Sequence, residues 1–191
     1  IETGIDHGTI TVVEAGCPTE VTTLRLDVAT DGRHAEVAFV DSFEADAARR
    51  DFTVNAMFED HAGTVWDYFG GRADLAARKL RFVGDASLRI QEDYLRILRL
   101  FRVQAQLGFA LVPEELEVLR GHVPGLAQVS QERIYAEVRK LLAAPGTLTA
   151  LQSMDAAGVV SQLWGAPLRE RGGDLLVALG AAQLSDNGQG L

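Results

Sequence analysis

Two charged stretches carry residue types that can do chemistry. The first is Arg49-Arg50-Asp51-Phe52-Thr53-Val54-Asn55-Ala56-Met57. Adjacent guanidinium groups bind phosphate oxygens in a bidentate way, and Asp and Asn side chains can read a ribose hydroxyl or a base edge. The blander reading is a helix end bearing a surface ion pair. The second stretch is Glu92-Asp93-Tyr94-Leu95-Arg96-Ile97-Leu98-Arg99. Its spacing predicts that Asp93 and Arg96 share one face of a long helix. As an ion pair alone they would contribute only about 0.3–0.5 kcal/mol. As recognition groups they offer more, because a carboxylate only accepts and a guanidinium only donates. Together they complement the Watson–Crick edge of cytosine, whose amino group donates while N3 and O2 accept. Adenine, with its N6 donor and N1 acceptor, fits similarly. Guanine and uracil put a carbonyl where the amino group belongs and an N–H where the acceptor belongs, at about 1–3 kcal/mol per mismatched group. The pair can select C and A from the four bases without a nucleic-acid template.

The elements that must position these groups change character along the chain. Residues 9–13, 20–26 and 37–40 are apolar, β-branched or alternating, and each predicts a strand. Glu14-Ala15-Gly16-Cys17-Pro18 predicts a turn, and residues 27–36 a polar loop. Ser42 is placed to cap a short helix over 43–50. Residues 52–58 and 64–66 predict two more strands about Asp60-His61-Ala62-Gly63. After Gly70-Gly71 the pattern becomes helical: a short helix over 74–79, then a long one capped by Asp85 or Ser87 and running to about Leu107. Pro113 predicts a helix start and Gly121 its end; Ser130 caps the next, with Ile134, Val138, Leu141 and Leu142 at helical spacing. A further helix over 148–157 stops at Gly158. The expected fold is α+β, a small antiparallel or mixed sheet followed by an all-helical region. Its expected divisions are 1–70, 71–145 and 146–191.

Both charged stretches resemble signature motifs of one family, in its order and at about its spacing. That family is the bacterial-type (class II) tRNA nucleotidyltransferases and poly(A) polymerases of the polymerase-β nucleotidyltransferase superfamily. The likeness extends to Gly4-Ile5-Asp6-His7-Gly8-Thr9, to Glu20-Val21-Thr22-Thr23 and to Gln131-Glu132-Arg133-Ile134, and covers roughly residues 3–144. It implies an incomplete nucleotidyltransferase head, a base-reading neck over 71–145 and the start of a body region. It assigns base choice to Asp93 and Arg96, with Glu92 and Arg99 beside them. Asp51 and Asn55 are assigned to sugar selection, Arg49 and Arg50 to the triphosphate or adjacent backbone, and the Gln131–Ile134 segment to holding the pocket and neck helices. The implied reaction adds nucleotides from CTP, and from ATP where a terminal A is added, to a tRNA 3′ end with Mg²⁺ and release of pyrophosphate.

Departures from the family pattern matter as much. The family's metal-binding Asp-x-Asp, on a strand upstream of His7-Gly8-Thr9, has no counterpart in the chain. Glu44-x-Asp46 lies on a predicted helix, where residues two apart point in different directions. Glu20 is one further acidic candidate. The expectation is therefore a piece of an enzyme, inactive alone, with neither catalytic nor metal-binding carboxylates of its own. Where A-adding members carry Arg-Arg-Pro, this chain has Arg33-His34-Ala35, which favours a CC-adding specialist. A bacterial poly(A) polymerase, and a non-catalytic RNA- or nucleotide-binding module, are the alternatives.

Composition sets outer limits. A net charge of −9 in 191 residues argues against an undiscriminating nucleic-acid binder. Basic residues nevertheless concentrate at Arg72, Arg78, Lys79, Arg81, Arg89, Arg96, Arg99 and Arg102. The single cysteine, Cys17, makes no disulfide framework and suits a cytoplasmic protein. No apolar run approaches the ~20 residues of a membrane span. The chain opens on Ile without a signal-like segment, which suggests a processed or cut chain.

Overall fold

A computed structural model describes residues 8–30 and 35–168. His7, Arg33 and His34, and the further helices expected after residue 168, lie outside the described residues. Two antiparallel hairpins open the described residues. Strand β1 (Thr9–Glu14) pairs with β2 (Cys17–Thr22), turning at Ala15 and Gly16, which both take positive φ. Strand β3 (Arg25–Thr30) pairs with β4 (Ala35–Phe39). The strand expected over 20–26 is therefore divided. The loop expected over 27–36 is shorter, because both its flanks join the ladder.

Helix α1 (Phe43–Ala48) starts where the sequence places it, with Ser42 Oγ accepting from Ala45 N at 3.2 Å. The strand expected over 52–58 is corrected. Phe52 makes an isolated antiparallel bridge to Phe82, residues Thr53–Asn55 form a 3₁₀ turn, and only β5 (Met57–Glu59) continues extended. Asn55 makes this turn, its Oδ1 accepting from Phe52 N at 3.2 Å. Strand β6 (Val65–Asp67) completes the third hairpin. Asp60 Oδ1 pins that turn by accepting from Ala62 N and Thr64 N, both at 2.9 Å.

From here the chain is mostly helical. Helix α2 (Gly71–Ala77) begins earlier than the expected 74–79, because Asp67 accepts from Gly71 N and Arg72 N at 2.8 and 3.0 Å. Burial would raise the Asp67 carboxyl, but these backbone donors hold it below its ordinary value. Gly71 cannot be larger, since a Cβ there would run into the Thr53 carbonyl. Strand β7 (Lys79–Leu80) pairs in parallel with β8 (Ala110–Leu111), a short extended pairing among the helices.

The long helix expected to Leu107 is corrected to two. Helix α3 (Ala86–Glu92) is capped by Asp85, whose Oδ1 accepts from Leu88 N at 2.9 Å. The chain then extends at Asp93 (φ −157°, ψ 104°) and resumes as α4 (Leu95–Leu107). Helix α5 (Pro113–His122) carries Pro113 in its first turn. Helix α6 (Gln131–Leu142) follows Ser130, which stands at the N-cap without a side-chain bond. Helices α7 (Thr147–Ala156) and α8 (Val159–Trp164) meet at Gly158, whose φ of 81° suits glycine.

The core joins the first stretch to the helices. Phe52, Leu80, Phe82, Ile90, Leu98, Phe101, Leu119, Leu126, Leu141 and Met154 are all fully buried in one cluster. Each contributes about 1.5–3 kcal/mol by leaving water. Phe52 and Phe82 meet ring to ring at 5.1 Å. The segment carrying Asp51 is thereby anchored between the hairpins and the helical core.

Candidate functional site

Residues 51–53 lie antiparallel against 81–83. Val83 N donates to Asp51 O at 3.1 Å and Thr53 N to Arg81 O at 3.0 Å, so the Asp51 main chain is fixed. Just before it, Arg49 and Arg50 converge on one buried carboxylate. Asp46 Oδ1 accepts from Arg49 Nε (2.9 Å) and Nη2 (2.5 Å), and Oδ2 from Arg50 Nε (3.1 Å) and Nη2 (2.9 Å). Burial would raise the Asp46 carboxyl, but the Arg49 and Arg50 bonds hold it below its ordinary value. Arg50 also donates to Asn55 O at 3.2 Å and lies 4.9 Å over the Phe58 ring. The bland helix-end ion pair therefore exists, with Asp46 as its acid. It leaves Arg50 partly exposed.

Asp51 faces the second stretch. Its Oδ1 accepts from Arg96 Nε at 2.7 Å and its Oδ2 from Arg99 Nη1 at 2.8 Å. Burial works to raise the Asp51 carboxyl, but the charges of Arg99 and Arg96 overcome it and hold it below the ordinary value. Reciprocally, burial would lower the Arg99 guanidinium, but Asp51 raises it. Arg96 is only 7% exposed. Its Nη1 donates to Glu92 Oε2 at 2.5 Å and to Arg89 O at 2.6 Å, and its Nη2 takes part in none of these bonds.

The intrahelical pair that the spacing of Asp93 and Arg96 allows is not formed, because Asp93 sits in the break before α4. Its main-chain carbonyl accepts from Arg96 N at 3.0 Å, and its Oδ1 from Leu95 N at 3.1 Å. Its Oδ2 accepts from Arg133 Nη2 of α6 at 2.8 Å. Asp93 and Arg96 thus occupy the start of α4, each held by a different partner.

Two residues that complete the cluster were given no individual role from sequence. Arg133 belongs to the Gln131–Ile134 segment, but its bond to Asp93 is a long-range contact. Arg89 donates from Nη2 to Arg49 O and Arg50 O at 2.5 and 2.9 Å, and from Nη1 to Glu92 Oε2 at 2.5 Å. It ties the two charged stretches together, and in the sequence it stood out only as one of the basic residues concentrated between Arg72 and Arg102. Asn55 is exposed, its side-chain oxygen engaged in the 3₁₀ turn. Glu20 is exposed on β2 opposite Thr11, and no hydrogen bond or ion pair links it to the cluster.

The arrangement can bind and discriminate a polar ligand. Arginines neutralise both Asp46 and Asp51, which makes these two carboxylates poor ligands for a divalent cation. Among the described residues no group of three or more His, Cys, Asp or Glu side chains gathers as metal ligands.

Residues 1–81 match the family model described as the poly A polymerase head domain. Residues 108–164 match the probable RNA and SrmB-binding site of polymerase A. The chain belongs to the poly(A) polymerase and tRNA nucleotidyltransferase family. Its family relatives include the mitochondrial CCA tRNA nucleotidyltransferase 1 of Danio rerio, 56% identical over 73% of this chain and 33% of the relative. The CCA-adding enzyme of Streptococcus pyogenes is 43% identical over 94% of this chain and 45% of its own length. Among solved structures, the Bacillus stearothermophilus CCA-adding enzyme in complex with CTP superposes with a TM-score of 0.81. It is 40% identical, and the match covers 92% of this chain and 43% of that enzyme. The chain therefore spans between a third and a half of the relatives it matches. The α+β fold expected from sequence is the fold of these enzymes. The Asp93–Arg96 segment falls between the two matched models.

Proposed function

We propose that this chain supplies the nucleotide-choosing part of a template-independent tRNA 3′-end nucleotidyltransferase, which adds C from CTP, and A from ATP in a CCA-adding enzyme, with release of pyrophosphate. The observation that carries the proposal is the start of α4. Asp93 offers a carboxylate aimed by Arg133, and Arg96 is a buried guanidinium with Nη2 outside its own ion pairs. An acceptor beside a donor is what cytosine and adenine edges require and what uracil and guanine edges mismatch. Arg50 and its neighbour Arg49 are the candidate triphosphate contacts, and Asp51 and Asn55 the candidate sugar contacts. Residues 1–70 belong in this reading to the catalytic head, 71–145 to the base-reading neck and 146–191 to the start of the body. The names of the relatives favour CCA addition over poly(A) synthesis.

Enzymes of this family use a divalent metal, and Mg²⁺ is the cation proposed here; it supplies charge neutralisation at the triphosphate. In this reading Asp46 and Asp51, already paired with arginines, do not hold it. No helix among the described residues is long and apolar enough to cross a membrane. A cytoplasmic location is part of the proposal, and cell fractionation decides it against a mitochondrial one.

Steady-state kinetics with all four triphosphates tests base choice. Asp93→Ala should lower CTP use and, with it, the rejection of UTP, by about ten- to a hundredfold in kcat/KM ratio. Arg96→Ala should damage CTP use more broadly, because it also strips Asp51 and Glu92 of a partner. Unchanged CTP-over-UTP preference in both variants, after correction for folded fraction, would reduce the two residues to structural ion pairs.

A further inference from the structure

We infer that Asp51 is a positioning residue for base selection: it aims the Arg96 guanidinium at the base edge. The inference rests on the base-selecting role proposed for Arg96. A guanidinium on a flexible stem gains specificity only when its plane is fixed, and fixing a plane takes partners on more than one edge. Asp51 Oδ1 holds the Nε edge of Arg96 at 2.7 Å. Glu92 Oε2 and Arg89 O hold Nη1 at 2.5 and 2.6 Å. With both positions held, the direction of Nη2 is set before any ligand arrives.

Asp51 is itself held at side chain and main chain. Its second oxygen accepts from Arg99 at 2.8 Å, and its main chain is bonded to Val83. The Asp51 and Arg96 side chains are 17% and 9% exposed, so little water competes for the bond. Glu92, at 45%, holds Arg96 from a much wetter position. A sugar hydroxyl donating to Asp51 would add a third bond to a carboxylate that already serves two guanidinium groups. Aiming Arg96, by contrast, uses bonds already in place. The bonds already in place at Asp51 serve the aim of Arg96, so losing the carboxylate should disturb base choice at least as much as sugar choice.

Calorimetric binding of CTP, UTP and dCTP to the wild-type protein, Asp51→Asn and Glu92→Gln separates these roles. Asp51→Asn keeps an acceptor and loses the charge that fixes Nε. Its CTP-over-UTP affinity ratio should fall about tenfold, and its CTP-over-dCTP ratio by no more than that. Glu92→Gln should lower the CTP-over-UTP ratio about two- to threefold, as expected of an exposed partner. Partial unfolding lowers the binding of all three nucleotides alike and leaves these ratios unmoved, so the ratios report aim and not stability. An Asp51→Asn protein that keeps its CTP-over-UTP ratio while losing only CTP-over-dCTP preference overturns the inference and leaves a sugar reader. Should Asp51→Asn fail to fold, Asp51→Glu keeps the charge but moves it by one methylene, and an unchanged CTP-over-UTP ratio in that variant overturns the inference instead. A wild-type protein that binds CTP and UTP alike removes the base-selecting reading itself, which is a different failure.

Discussion

Glu115 gives the molecule a stability that should decline through neutral pH. It lies in the first turn of α5, and its carboxylate accepts from Phe82 N at 3.0 and 3.1 Å. Burial pushes its carboxyl from 4.5 up to about 7; the Phe82 N–H and Arg81 pull it down, while Asp74 and Glu114 add to the rise. A carboxyl raised on folding favours the folded state when protonated. That advantage is complete below the unfolded value of 4.5 and is lost as pH rises through about 7. The full shift corresponds to about 3 kcal/mol, and solvent reaching this part-buried side chain reduces it to about 1–2 kcal/mol. Glu115→Gln keeps an acceptor for Phe82 N and cannot ionise. Urea unfolding of both proteins at pH 5 and pH 8 should show the wild type losing about 1–2 kcal/mol relative to the variant over that interval. Parallel pH dependences would refute the assignment of this loss to Glu115.

Two further substitutions probe the frame around the site. Gly125→Ala would place a methyl group against the Tyr94 ring, next to Asp93. It should cost about 1–3 kcal/mol by thermal unfolding, and an unchanged Tm would mean that Tyr94 has room to move. Asp46→Ala leaves Arg49 and Arg50 without their shared buried acceptor and should cost about 3 kcal/mol in urea unfolding at pH 7. Because the Asp46 carboxyl is held below its ordinary value, its contribution is present above 3.8 and lost as pH falls further. The Asp46→Ala deficit should accordingly shrink in strong acid, and a deficit independent of pH would point to lost packing instead.

Much of this architecture was legible because local chemistry and tertiary structure agree. Ser42 and Asp85 cap the helices they precede, and Pro113 opens α5. The break at Asp93 was not legible. Ile90, Leu95, Leu98 and Phe101 continue an apolar helical pattern across it, and no Pro or Gly interrupts. The interruption accompanies long-range contacts, Arg133 on Asp93 and Arg89 on the carbonyls of 49 and 50, which no local spacing encodes. The same holds for Asp51. Its type and its neighbours suggested a ligand contact, but its two guanidinium partners lie on another element. In residues 52–58, β-propensity suggested a strand; the Asn55 cap and the close approach of Gly71 to Thr53 made a 3₁₀ turn.

Arg89 joins the two halves of the site through the main-chain carbonyls of Arg49 and Arg50, not through their side chains. A carbonyl is the same whichever side chain its residue carries. Exchanging the side chain at 49 or 50 would leave the seam between the stretches closed, but it would strip the buried Asp46 carboxylate of a partner. The two stretches are thus joined at the main chain, and the arginine side chains are braced separately by Asp46.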